Sequence, residues 1–318
     1  MAVVNLWNPK DLDLLSAFIV SFLLGIIHGI TPDEHTWPIT FSYAVGAGTT
    51  KGGAKAGLFF SSGFTLQRAI LSEIAYFALP SIFLTAASFG ITYILVGIAM
   101  AGAGFYMSIH KNYFHFHFLE KKFNILFRIH KIRENKAEMI CDNEELCHEK
   151  DPVFHDSLEP IPSKLAFFHG FLAGFGFGAF ALILFTVISP SMPSPYLAFI
   201  PGFLFGIGTM SMQVLMGSLL GAWLSKRKKL SQAGIAFVGK SISSYILTYG
   251  GIAFTAAGAA VLIKPKILTY GITTNIKVHN LHSLGIGFFL VIVVVGGIGL
   301  TSYFYAMKKA EKLGYKIG

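Results

Sequence analysis

Phe22-Leu-Leu-Gly-Ile-Ile-His28-Gly-Ile-Thr31-Pro32-Asp33-Glu34-His35 is an apolar run cut by consecutive polar and helix-breaking residues. It belongs to a longer apolar segment, Leu12 to Gly48. That segment is too long for one straight membrane helix and too short for two joined by a turn. We read it as a single tilted, discontinuous helix that breaks near mid-membrane; a re-entrant hairpin is the alternative.

The rest of the chain agrees with a membrane setting. Of 318 residues, 53% are hydrophobic and 13% charged, against about 25% charged in soluble domains, and mean hydropathy is +0.62. The 31 Phe and 34 Gly supply bulky surface for lipid and small residues for close helix approach. These features exclude a soluble enzyme, a nucleic-acid binder and a disordered chain. The first apolar run follows Asp11 and Asp13 rather than a basic region, so no cleavable leader is expected.

Six further apolar segments are long enough to span: Gly57–Leu79, Ile82–Ile109, Leu165–Ile188, Leu197–Leu224, Ala233–Ile263 and Leu284–Met307. The expected fold is an all-α membrane protein of about seven transmembrane helices. Basic residues test the count. One side receives Lys51, Lys55, nine Lys or Arg between positions 110 and 164, Lys226-Arg227-Lys228-Lys229, Lys308, Lys309, Lys312 and Lys316. The other receives only Lys10, Lys264, Lys266 and Lys277. The imbalance predicts a cell-membrane protein with its N-terminus outside and its C-terminus cytoplasmic.

The polar segment 110–164 divides the chain. Residues 1–109 and 165–263 each form a three-helix unit, and 264–318 adds a seventh helix with a basic tail. Leu24-Gly25-Ile-Ile-His28-Gly29 is echoed by Leu165-Ala166-Phe-Phe-His169-Gly170, and the stretch from Gly57 to Gly63 by that from Gly202 to Gly208. Three-helix units insert with opposite orientations, so these echoes predict an inverted repeat, a transporter architecture with its site at the repeat interface.

Ionisable groups inside hydrocarbon mark function by default, and the first helix concentrates them. Thr31-Pro32-Asp33-Glu34 reads as a capping box, with Thr at the N-cap, Pro at the first helical position and Glu reaching back. Asp33 also suits the positive end of a helix dipole. Capping leaves His28 and His35 unexplained. In an unbroken helix they would lie about 10 Å apart along the axis, whereas a break lets the chain fold His28 back toward Asp33 and His35. Two imidazoles and a carboxylate suit a divalent first-row metal. A helix start with incidental histidines and a catalytic role are the competing readings.

Other polar positions read less sharply. His169 either bonds within tight helix packing or adds a ligand facing His28. Arg68 either neutralises Asp33 or Glu34, or snorkels outward. Met210 and Met212 read as core filler and Lys240 as an interface anchor. Cys141 and Cys147, with His110, His115, His117, His130, His148 and His155, give the 110–164 loop a metal-binding composition that fits no zinc-finger spacing.

Together these residues resemble the nickel/cobalt transporter (permease) family within the lysine-exporter superfamily. Its signature is His, four residues, Asp and a nearby His in an early membrane helix. Here it stands as His28-x4-Asp33-Glu34-His35, with one residue inserted before the second His. Phe64-Thr-Leu-Gln67-Arg68 resembles the polar patch of the family's second span. The resemblance implies a permease for Ni²⁺ or Co²⁺ as substrate, bound by His28, Asp33 and His35; Glu34 and His169 are further candidates from the residues themselves. It implies no catalytic residues and no cofactor. The expected partners are the ion and the lipid bilayer, with a homo-oligomer left open and nucleic acid excluded. Transport of Zn²⁺, Fe²⁺ or a small organic solute on the same fold is the alternative. A lipid acyltransferase would need a phosphate-binding block that the chain lacks, and a disulfide relay would need cysteines within the spans.

Overall fold

The computed structural model describes residues 9, 12–31, 33–77, 85–110, 163–176, 178–226, 230–278 and 281–315. Helices occupy all seven apolar segments. The first holds α1 (Leu14–Ile30) and α2 (Trp37–Ala47). Next come α3 (Thr50–Phe77) and α4 (Ala86–His110). The fourth segment holds α5 (Ser163–Ala173) and α6 (Ala179–Ile183), the latter running on through π-helical Leu184–Ile188. Beyond it lie α7 (Pro195–Ser225), α8 (232–263, with a π-helical stretch Ile246–Gly250) and α9 (286–312, π-helical over Ile292–Gly299). Between α8 and α9, β1 (Ile272–Thr273) pairs antiparallel with β2 (Ser283–Leu284).

Four of these helices, Ala86–Ser108, Pro195–Leu224, Ala233–Ile263 and Ile286–Lys312, are long and apolar enough to cross a membrane. The pattern of burial on α3 agrees with a lipid setting. Gln67 and Arg68 are 1% exposed, whereas Leu66 and Ile70 on the same helix are 47% and 44% exposed. Polar groups inside and apolar groups outside invert the arrangement of a water-soluble helix. Leu15, Ile19, Leu95, Ile98, Leu219 and Ile292 continue the outward apolar surface. The chain is an all-α membrane protein.

Glycine sets how closely the helices approach. A Cβ on Gly25 of α1 would run into the Phe205 carbonyl of α7, and one on Gly208 into the Phe22 carbonyl of α1. Gly63 of α3 meets the Phe167 carbonyl of α5, and Gly170 of α5 meets the Phe60 carbonyl of α3. Gly57 and Gly202 hold α3 and α7 together against the carbonyls of Gln213 and Arg68. Gly97 and Gly251 do the same for α4 and α8.

The first segment breaks where expected, but its start signal differs. Asp13 caps α1 by accepting from the Ser16 amide at 3.0 Å. At the other end the Thr31 amide bonds to the Ile27 carbonyl, so Thr31 closes α1. The new helix starts only at Trp37. Asp33 organises the turn before it, its Oδ1 accepting from the amides of His35 and Thr36 at 3.0 and 3.1 Å. A short carboxylate reaches amides two and three residues on, and this displaces the expected Thr31–Glu34 capping box. Pro32 lies outside the described residues.

The fourth segment, expected to be continuous, also breaks. α5 ends at Ala173 and α6 starts at Ala179. Gly170, Gly174, Gly176 and Gly178 weaken helix here, and Arg68 captures the Gly176 carbonyl at 2.7 Å. Residues 111–162, which hold both cysteines and all of that loop's histidines but His110, lie outside the described residues.

Candidate metal centre

The α1–α2 break lies where two apolar clusters meet. One contains Phe64, Phe180 and Phe205; the other contains Tyr93 and Phe254. His28, on the last turn of α1, stacks on Phe64 with ring centroids 5.6 Å apart and planes at 15°. It also lies 5.2 Å from Phe205 and meets Phe180 edge-on at 6.0 Å. His35, in the turn, leans on Tyr93 at 5.1 Å and meets Phe254 edge-on at 6.5 Å. The apolar walls hold both imidazoles and shut out water; each is 2% exposed.

Between them stand two carboxylates. Asp33, 2% exposed, has Oδ2 at 3.8 Å from His28 Nδ1. Glu34 Oε1 lies 3.5 Å from His35 Nδ1 and accepts from the Tyr93 hydroxyl at 3.0 Å. One ligand atom each from Asp33, Glu34 and His35 lie within 4.8 Å of one another. Donors on opposite sides of a metal held at about 2.0–2.2 Å are separated by about 4 Å, so the spacing is close to that of a coordination shell. Asp33 brings His28 to the edge of the group.

None of the four ring nitrogens of His28 and His35 has a hydrogen-bond partner. A buried polar atom left unpaired costs about 1–3 kcal/mol, and such groups are rare in native structures. Four occur here, two of them, His28 Nδ1 and His35 Nδ1, facing carboxylates at 3.8 and 3.5 Å without a hydrogen bond. The donor set of imidazole nitrogen and carboxylate oxygen fits a first-row divalent cation. An enclosed, aromatic-walled site also raises the strength of any charge interaction within it.

The remaining sequence candidates fall elsewhere. His169 accepts or donates a 2.6 Å hydrogen bond with the Tyr43 hydroxyl and bonds to the backbone of Ala99. It ties α2, α4 and α5 together and does not join the Asp33–Glu34–His35 group. Arg68 is 1% exposed, so it does not snorkel; it interacts electrostatically with Asp33. Met212 packs against Gly29, as core filler would. Three contributors were not read from the sequence: Tyr93, which grips Glu34, Gly176, which backs His35, and Gly287, which lies against the Glu34 carboxylate. Of the three, only Gly176 has a trace in the sequence, where Gly174-Phe-Gly176-Phe-Gly178 alternates small and bulky residues after His169.

Comparison with known proteins finds no matching family model, no matching curated protein and no matching solved structure.

Proposed function

We propose that the chain is a membrane transporter, not an enzyme, which moves a divalent transition-metal ion, Ni²⁺ or Co²⁺, through a site made by His28, Asp33, Glu34 and His35. The observation that carries this reading is the set of four imidazole nitrogens without hydrogen bonds beside two carboxylates in a water-excluding cage. The resemblance of His28-x4-Asp33-Glu34-His35 to the nickel/cobalt permease signature selects the ion.

The reading includes seven spans, an outside N-terminus, a cytoplasmic C-terminus in the cell membrane, and two inverted three-helix repeats. The repeat draws support from the interhelical contacts. Gly25 against Phe205 corresponds to Gly170 against Phe60 with one shift of 145 residues for every position. The same shift carries Gly63 against Phe167 onto Gly208 against Phe22, and Gly57 against Gln213 onto Gly202 against Arg68. It also carries Thr31, at the first break, onto Gly176, at the second. Such a register pairs His28 with Ala173, one helical turn away from the His28–His169 echo. The two breaks are then equivalent elements that meet at the site, as inverted-repeat transporters arrange theirs.

Ion accumulation in cells expressing the chain, measured for Ni, Co, Zn, Fe and Mn, tests the proposal. We expect saturable movement of Ni²⁺ or Co²⁺ that His28→Ala abolishes. Equal movement of either ion by the variant would remove the site from the pathway.

A further inference from the structure

Arg68 is the largest fully buried side chain among the described residues. Its Nη2 donates to the Gly176 carbonyl at 2.7 Å, while Nε and Nη1 have no hydrogen-bond partner. Its Cζ lies 4.6 Å from the centre of Phe64 and 5.8 Å from that of Phe205. These are the rings that also flank His28. Gly176, held by the guanidinium, lies against the ring of His35. The cation is therefore fixed between the surroundings of both candidate metal-binding histidines, and its charge reaches Asp33 through space, without an ion pair within 4.0 Å.

A permanent positive charge beside a cation site opposes the cation. It has a use in transport, because an ion must bind well enough to enter and weakly enough to leave. We propose that Arg68 is the resident counter-cation of the site: it neutralises Asp33 while the site is empty and keeps ion binding weak enough for release. The proposal rests on the metal-site reading. With both carboxylates ionised, as metal ligation requires, Asp33, Glu34 and Arg68 together carry one net negative charge. A divalent ion turns this into one net positive charge, which favours departure. Without Arg68 the occupied site would be neutral and would retain its ion. The shift of 145 places Gln213 at the position equivalent to Arg68, so the cation is present in one half only, the half that also carries Asp33 and Glu34.

The test uses the full chain in lipid nanodiscs for equilibrium Ni²⁺ and Co²⁺ titration, and in proteoliposomes for initial rates. Arg68→Gln should lower Kd about tenfold or more and lower both KM and the maximal rate. Arg68→Lys, which keeps the charge, should remain close to wild type in Kd. If the wild type binds neither ion, the metal-site reading itself fails. If the wild type binds and a folded Arg68→Gln binds equally or more weakly, Arg68 is only a strut for Gly176 and the proposal is overturned. Should Arg68→Gln fail to fold, Asp33→Asn combined with Arg68→Gln decides. Recovery of folding would support charge neutralisation of Asp33, and continued misfolding would overturn it.

Discussion

Gly176 of the α5–α6 break lies so close to the imidazole of His35 that a Cβ at position 176 would overlap the ring. Two chain breaks, far apart in sequence, thus share one contact, and the second break supplies the wall against which a candidate ligand rests. Gly176→Ala must push His35 aside at an overpacking cost of about 1–3 kcal/mol. Ion affinity should fall about five- to hundredfold, at tenfold per about 1.4 kcal/mol. Gly102→Ala, where the added Cβ meets nothing within 4 Å, should leave Kd unchanged in the same titration.

Removing ligands should separate the site from the scaffold. His28→Ala and His35→Ala should each abolish saturable binding, and Asp33→Asn should do nearly the same, since Asn keeps the turn but loses the charge. Glu34→Gln should weaken binding, because the carboxylate faces His35 instead of capping a helix. His169→Ala should lower the melting temperature by unpairing Tyr43 while leaving ion affinity intact. Loss of affinity in His169→Ala with an unchanged melting temperature would return His169 to the ligand set.

Tyr93→Phe keeps the ring that leans on His35 and deletes only the hydroxyl that donates to Glu34. A hydrogen bond to a charged group is worth about 1.5–3 kcal/mol. Binding should therefore weaken by about tenfold or more, with the fold retained by circular dichroism.

Metal ligation requires neutral imidazoles and ionised carboxylates, and it releases protons. Affinity should fall steadily as pH is lowered, and calorimetry in buffers of different ionisation enthalpy should show proton release on binding. Binding that is independent of pH would contradict imidazole ligation.

The proposed orientation rests on the basic residues. A cysteine placed at Asn275, in the β1–β2 connection, should react with an impermeant thiol reagent in intact cells. One placed at Lys226, at the end of α7, should react only after permeabilisation. The reverse pattern would invert the proposed topology.

Local properties of the sequence settled the membrane class, the positions of the helices, the break after His28 and the residue types of the candidate site. Hydropathy and spacing depend on near neighbours in the chain, so they could be read without a fold. The facing of side chains could not. Arg68 is drawn inward because glycines bring α3, α5 and α7 within backbone contact and the Gly176 carbonyl is exposed there by a second break. Tyr43 claims His169, Tyr93 claims Glu34, and Asp33 organises the turn that Thr31 was expected to start. Each of these depends on which groups meet across helices or on how a released backbone finds its acceptors. Burial makes those pairings decisive, because a polar atom in this interior must find a partner or wait for a ligand.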